Sequence, residues 1–383
     1  MLKLGVIGVG NAGNQVVATA YSRNANLDLF AVNCSDTDLK TLPTDIPKAL
    51  IGDGRGAGKN RESSKQFLAT AIAEFIKEED VKSFISNLDV LFIVSSTGGG
   101  TGSGISPILT KVIQSVYPTV YVIPVGILSA LKEGLSTHSN SLEYLKELYE
   151  NLDRPTYMLY DNGTYADLPS NVMMEKINNR IVDDLIVLSG YYNYITKYSS
   201  IDDRDFLNII KTPGRLVIGS TGDFREKDID ETNVEKLLLD DIRTGGHVEL
   251  QKDKIVNRIG VIANMNEVVA SKFDGMVPDI QKVIGNPIES FEHIAINEDR
   301  KLPNRVFIVI SGLTKVSDRI TEINDRVNDI LEKQKCQEDA DALNDIDINK
   351  LNEKRVYVKN EPVSGKVDLQ DIFSSFGVNI PTK

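Results

Sequence analysis

Through the first 160 residues, short apolar runs alternate with amphipathic stretches. The runs at 2–8 (LKLGVIG), 27–33, 88–95 (LDVLFIVS), 119–124 and 156–160 read as strands, and the stretches at 12–22, 61–79, 103–116 and 137–152 as helices. The strand segments are continuously apolar rather than alternating, which suits a sheet covered on both faces. Strands separated by helices of this length predict a mostly parallel, doubly wound sheet. Over 171–191, Val172, Met173, Ile177, Ile181, Leu185 and Leu188 recur at spacings of three and four, the stripe of a helix placed to join two domains. Beyond it, apolar strands at 215–219, 258–263 and 305–311 alternate with helical stretches. A polar helix at 314–334 then carries a narrow stripe of Val316, Ile320, Ile323, Val327, Ile330 and Leu331. The last segment is polar and irregular until an apolar patch, LQDIFSSFGVNI. The predicted organisation is therefore an α/β chain. A parallel, doubly wound domain occupies 1–170 and a connecting helix 171–192. A smaller α+β second domain follows at 193–312, then a long C-terminal helix at 313–335 and a polar tail at 336–383.

Composition narrows the chemistry. The 383 residues carry 43 basic and 55 acidic side chains, a net charge of −12. Such acidity disfavours non-specific nucleic-acid binding by the body, which needs clustered Lys and Arg. The two cysteines, Cys34 and Cys336, and the scattered His138, His247 and His293 offer no disulfide framework and no metal centre. The N-terminus turns glycine-rich at once rather than resembling a signal peptide, and no apolar run approaches the ~20 residues of a membrane span. A cytoplasmic location is expected.

Three glycine-rich loops carry the functional signal: Gly8-Val-Gly10-Asn11-Ala12-Gly13-Asn14, Gly52-Asp-Gly54-Arg-Gly56-Ala57-Gly58-Lys59, and Gly98-Gly99-Gly100-Thr101-Gly102-Ser103-Gly104. Glycine lets backbone amides approach a phosphate closely, and helix N-termini present unpaired N–H groups. Ligands of open α/β sheets lie beyond the carboxyl ends of the strands, so the three loops are expected to converge on one polyanion. A nicotinamide dinucleotide site would need an acid at the end of the second strand, where Asn33 stands instead. A Walker A loop would need glycine at 53 and Ser or Thr at 60, where Asp53 and Asn60 stand. Five glycines in the seven residues from Gly98 to Gly104, at a strand-to-helix junction, are more than a tight turn requires.

That last loop resembles the signature loop of the tubulin and FtsZ superfamily. Gly8–Asn14 resembles its first phosphate loop, Asn33 to Asp36 its second, and Gly52–Asn60 its third. The likeness runs from residue 1 to about 335, and size, divergent second half and long terminal helix resemble most the plasmid and phage tubulin-like group, TubZ and its relatives. The resemblance implies binding of GTP or GDP with Mg²⁺ on the phosphates. It implies head-to-tail polymerisation, and hydrolysis completed by the next subunit. It gives phosphate contacts to Gly10, Asn11, Ala12, Asn14, Asn33, Asp36, Gly56, Ala57, Gly58, Lys59, Gly98, Gly99, Gly100, Thr101, Gly102 and Ser103. Glu133 and Asn162 fall at its ribose positions, and Asn178 and Asn179 at the guanine edge. The family's base-stacking aromatic is replaced by Met174, with Tyr191 or Tyr192 as substitutes. The family's catalytic loop, Asn-x-Asp-x-x-Asp/Glu, is matched by Ser200, Asp202 and Asp205, with Ser for Asn.

Several readings stay open. Asp202 and Asp205 are water-orienting acids, or the acids of a helix start. The helix at 314–334 packs on the second domain, the favoured reading, or reaches a neighbouring subunit. The patch of Leu369, Ile372, Phe373 and Phe376 is a docking element or a short helix folded back onto the body. The tail is acidic, so a DNA-bound adaptor protein is a more suitable partner for it than DNA itself, and no membrane partner is expected. The function expected is a filament-forming GTPase that positions plasmid or phage DNA. The alternatives are a nucleotide-binding regulator with little hydrolysis and, less favoured, an NAD-dependent oxidoreductase.

Overall fold

The structure is a computed structural model. It describes residues 2–190, 202–226, 231–250, 255–271, 285–296, 303–313, 318–338 and 368–381. Ser200, Tyr191 and Tyr192 lie outside them.

The apolar runs become strands β1 (Leu4–Val9), β2 (Asp28–Asn33), β3 (Lys48–Leu50), β4 (Val90–Ser96), β5 (Tyr121–Leu128) and β6 (Thr156–Asp161). Between them run α1 (Gly10–Ser22), α2 (Asp36–Lys40), α3 (Arg61–Phe75), α4 (Glu79–Ser86), α5 (Thr101–Val116) and α6 (Leu135–Asn151). All neighbouring pairs from β3 to β6 are parallel, in the order β3-β2-β1-β4-β5-β6. Helices cover both faces, as continuously apolar strands require. One face buries Phe30, Leu68, Ile72, Leu91 and Ile108, the other Val6, Val17, Phe92 and Ile181. The single helix expected over 61–79 is two, α3 and α4, because the chain turns extended at Glu78.

The chain then enters α7 (Ser170–Ser189), whose Met173, Ile177, Ile181, Leu185 and Leu188 are buried. Twenty residues make a helix ~30 Å long. It runs from the carboxyl edge of the parallel sheet, where β6 ends, toward the opposite edge. Arg23, just past the end of α1, donates to the Asn179 carbonyl (3.3 Å) and pairs with Asp183 (2.6 Å). The second unit comprises α8 (Asp203–Ile210), β7 (Gly214–Ser220), α9 (Glu231–Thr244), β8 (Ile255–Met265), α10 (Glu267–Ala270), β9 (Asn286–Ile296) and β10 (Arg305–Leu313). Its strands extend the same sheet in the order β7-β10-β8-β9, with β10 antiparallel to both neighbours. At the junction β6 and β7 pair at Thr156–Gly214 and Tyr157–Arg215, and the rest of β6 bonds to the 246–248 segment, Asp161 N–H to the Gly246 carbonyl (2.7 Å) and Val248 N–H to that of Leu159 (3.1 Å).

The terminal helix α11 (Asp318–Glu338) corrects the favoured expectation. It lies along α6 of the first domain rather than on the second. Ile323 packs with Leu128 and Leu159, the ends of β5 and β6, and with Val248. Arg319 donates to the Asp161 carboxylate (2.7 Å) and the Ser129 carbonyl (2.8 Å). The apolar patch forms α12 (Leu369–Ser375), folded onto the body with Ile372, Phe373, Phe376 and Val378 buried in the core beneath α3 and α5. No helix among the described residues is long and apolar enough to cross a membrane.

Candidate functional site

Neighbouring β1 and β4 end at the same edge and each runs directly into a helix. Val9 precedes α1 and Gly100 precedes α5, and neither start has a side-chain cap or an acidic residue in its first turn. The first four N–H groups of a helix need partners from outside it, and the dipole there favours an anion. Side chains cap some other helices: Ser35 bonds Asp38 N–H at α2, Asn60 bonds Ser63 N–H at α3, and Asp202 bonds Arg204 and Asp205 N–H at α8, whereas α4, α6 and α7 also lack a side-chain cap. The two glycine-loop helices, left open, also touch one another. A Cβ on Gly10 would lie 2.9 Å from the Gly102 nitrogen. Two adjoining, uncapped N-termini form a cradle suited to a phosphate chain.

Side chains behind the cradle fix its shape. Buried Asn14 donates to the Gly8 carbonyl (2.8 Å) and accepts from the Asn33 amide (2.8 Å); Asn33 accepts from Ser35 N–H (3.1 Å). These two residues, placed in the nucleotide site by resemblance, bond to each other and to the strand ends and so brace the loops. In the third loop, Gly52, Gly54, Gly56 and Gly58 all have positive φ, and Lys59 joins them at 60°. This loop folds against the signature loop, where a Cβ on Gly100 would meet Asn60 N and Lys59 Cα at 2.8 Å each. Asn140, on α6, donates to the carbonyls of Lys59 (3.0 Å), Gly98 and Gly99 (both 3.2 Å). Ser64 donates to the Gly100 carbonyl (2.9 Å) and Arg61 to that of Ser103 (3.0 Å). Arg61 also pairs with Glu143 (2.9 Å) and Glu147 (2.5 Å), and Lys65 with Glu147 (2.6 Å). Burial raises the Glu147 carboxyl, with Arg61 and Lys65 opposing it. Gly99, by contrast, faces open space: a Cβ there would find nothing within 4 Å.

The remaining assigned residues are dispersed. Gly10, Asn11 and Ala12 form the first turn of α1, and Thr101, Gly102 and Ser103 that of α5; the Ser103 hydroxyl bonds back to Gly99. Gly56, Ala57 and Gly58 lie along the third loop. Asp36 starts α2 and pairs with Lys40, an exposed contact on its own helix. Glu133 accepts from Ala130 N–H (3.0 Å), closing its own turn after β5. Asn162 begins the turn after β6, with its buried Oδ1 lacking any partner among the described residues. An unpaired buried acceptor is costly and calls for a donor. Asn178 and Asn179 lie half-buried on α7, and Met174 is 52% exposed on the same helix. Asp202 and Asp205 sit at the start of α8, so the helix-start reading holds for both. Cys34, at the end of β2, is buried beside Thr101, and burial pushes its thiol up to about 11. No group of three or more His, Cys, Asp or Glu among the described residues is arranged to hold a metal.

Sequence reasoning missed Arg61, Ser64, Thr137 and Asn140, which bind the loops from α3 and α6. Their only signal was proximity to a glycine loop for the first two, and none for the α6 pair, which meet the loops through long-range packing.

A glycine-loop cradle at the carboxyl edge of a parallel sheet, joined by a long helix to a mixed-sheet domain, is the arrangement of an α/β protein suited to a phosphate-bearing ligand. Residues 3–168 match the Tubulin/FtsZ family, GTPase domain. The tubulin-like protein CetZ2 of Haloferax volcanii is 28% identical over 233 residues, 57% of this chain and 63% of the relative. Cell division protein FtsZ 1 of Methanocaldococcus jannaschii is 24% identical, over 81% of this chain and 83% of its own. CetZ2, CetZ4 and CetZ1 of Haloferax volcanii are each matched over about three fifths of their length. In solved structures, Haloferax volcanii CetZ2 as a GTPγS-bound protofilament superposes with a TM-score of 0.71 at 21% identity, covering 87% of this chain and all of that one. TubZ of Clostridium botulinum phage c-st gives 0.68 at 19% identity, covering 86% and 97%. Residues 3–168 thus carry the family match, and the chain as a whole shares the fold of these solved structures.

Proposed function

We propose that this protein binds GTP and GDP in the glycine cradle, polymerises head to tail, and hydrolyses GTP where one copy meets the next. The observation that carries this reading is a separation. The cradle lies at the carboxyl edge of the parallel sheet, while Asp202 and Asp205 follow the far end of α7, a helix ~30 Å long. Lys211, directly after α8, accepts from the hydroxyl of Tyr121, the first residue of β5, at the opposite edge. The acids cannot reach their own cradle. Stacking a second copy on the first brings one copy's acids to the other's phosphates, and a heterologous contact that does not close makes a filament.

In that junction the open helix starts neutralise charge building on the phosphates, and Asp202 and Asp205 orient the attacking water. One Asp202 oxygen caps α8, bonding Arg204 N–H (2.8 Å) and Asp205 N–H (2.9 Å), which fixes the carboxylate's direction. Mg²⁺ would ride on the phosphates with mostly water ligands. Asn162, at the turn after β6, stands at the expected ribose position, and Asn178 and Asn179 offer donor and acceptor to a purine edge. An NAD site is disfavoured because Asn33, where the ribose acid would stand, is bonded to Asn14 and Ser35. The cargo reading, plasmid or phage DNA in the cytoplasm held through a DNA-bound adaptor, is supported by the TubZ-like fold and an acidic tail.

The test mixes two inactive variants. Gly99→Ala lacks a full cradle, and the double variant Asp202→Asn, Asp205→Asn lacks the acids while keeping the cap. Light scattering should show GTP-dependent assembly of the wild type, and phosphate release should reappear in the mixture. Absence of nucleotide-dependent assembly, or hydrolysis by isolated monomers, would refute the reading.

A further inference from the structure

The cradle's donors are backbone N–H groups, yet a nucleoside triphosphate brings several negative charges to a protein whose net charge is −12. The cations around the loops are mostly committed elsewhere. Arg61 is held by Glu143 and Glu147, Lys65 by Glu147 and Glu62, and Lys40 by Asp36. Lys132 donates to the Ala166 carbonyl (2.7 Å). Arg55 is exposed on the α2 side of the third loop, where its backbone bridges to Ser35. Lys59 differs. Among the described residues it makes no ion pair, and its ammonium rests on a neutral hydroxyl, Thr137 Oγ1, at 3.2 Å.

The backbone is built to aim it. Lys59 adopts φ of 60°, a left-handed conformation that side-chain-bearing residues avoid. Such strain persists where surroundings fix it and clusters at ligand sites. Here Asn140 holds the Lys59 carbonyl, and the signature loop packs on Lys59 Cα at Gly100. Thr137 lies in the first turn of α6 and packs on Gly98, so the Lys59–Thr137 contact bridges across the signature loop beside Gly99.

We propose that Lys59 is the side chain that distinguishes a triphosphate from a diphosphate in this cradle, with Thr137 holding it in readiness. The proposal rests on the nucleotide reading above. A terminal phosphate draws the ammonium from the hydroxyl, because a charge-assisted bond to a phosphate oxygen is about twice as strong as one between neutral groups. A diphosphate ends short of it and leaves Lys59 on Thr137. The flexible four-carbon stem allows the transfer without moving the strained backbone.

The test is calorimetric titration of the full chain with GTPγS and with GDP. Lys59→Gln keeps the stem and removes the charge. It should weaken GTPγS binding roughly ten- to hundredfold and GDP binding less than about threefold. Lys59→Arg should recover most of the loss, and Thr137→Val should tighten GTPγS while leaving GDP unchanged. Thermal melts confirm folding, and Lys59 is exposed, so its substitution spares the core. Equal weakening of both nucleotides, or weakening of neither, overturns the proposal. Wild-type protein that binds neither nucleotide overturns the underlying reading instead.

Discussion

Consider Gly99→Ala. The residue's φ is not in the left-handed region, and an added Cβ meets no atom within 4 Å. The fold therefore has no objection to the methyl. Removing backbone freedom from the unfolded chain should even stabilise the protein by about 0.4–1 kcal/mol. The same methyl stands on the open side of the loop, where phosphate oxygens must approach the N–H groups that begin α5. Loss of one hydrogen bond to a charged group costs about 1.5–3 kcal/mol, or roughly ten- to hundredfold in affinity. Gly13→Ala supplies the contrast. Its Cβ would crowd the Val94 carbonyl oxygen and lie 2.9 Å from the Gly8 carbonyl carbon, both backbone atoms that cannot give way. Overpacking of that kind costs about 1–3 kcal/mol of stability. Urea melts without nucleotide and calorimetric titration with GTP separate the two effects. A folded Gly99→Ala protein with wild-type GTP affinity would show that the open side of the loop is not a phosphate surface.

Phe373 is fully buried under α3 and α5, so Phe373→Ala removes about 3–5 kcal/mol of packing, limited by the docking energy of α12 itself. Faster proteolytic loss of the C-terminal segment reads the effect, and an unchanged cleavage rate refutes it. Arg319→Ala leaves the Asp161 carboxylate buried without its charged partner and should cost roughly 3–5 kcal/mol in urea melts, partly recovered by adding Asp161→Asn. His247 donates from Nε2 toward Asp184 (3.0 Å), while its Nδ1 is buried without a partner among the described residues. Burial lowers its folded pKa below 6.5, with nearby Arg180 and Arg215 adding to the effect and Asp184 opposing it. The unfolded chain then takes up the proton that the folded chain resists, so stability is intact above 6.5 and declines as pH falls below it. Denaturation at about pH 7.5 and about pH 5.5 should show that decline, and His247→Gln should flatten it.

The parallel sheet was readable because its strands are uninterrupted apolar runs between glycine loops and helices. Elements with weaker local signals were not. β9, Asn286–Ile296, is an edge strand with Glu289, Ser290 and Glu292 exposed, so it shows no buried run. The break between α3 and α4 at 76–78 falls on Ile, Lys and Glu, with neither Gly nor Pro to mark it. The convergence of the first and third glycine loops on the signature loop followed from their position beside the carboxyl ends of the strands. The loops' supports were not legible. The bonds of Asn14 to Gly8 and Asn33 carried no sequence signal, because an amide side chain reads the same whether it faces a phosphate or a carbonyl. The placement of α11 turned on Arg319, whose acceptors on Asp161 and Ser129 lie far away in sequence. The apolar end of the tail was visible, but the cleft receiving it is assembled from α3 and α5.

The short seam between β6 and β7 has a mechanical corollary. In the ten-stranded sheet β6 and β7 share two residue pairs, and the segment at 246–248 adds an antiparallel bridge between His247 and Tyr160. Most of the mortar between the two halves is the apolar side of α7, since Ile181, Leu185 and Leu188 share one core with Phe206, Ile209 and Phe307. Such a body is stiff along that helix and compliant in torsion around it. Force transmitted end to end would pass down α7 as through an axle, and the two halves would yield first by twisting.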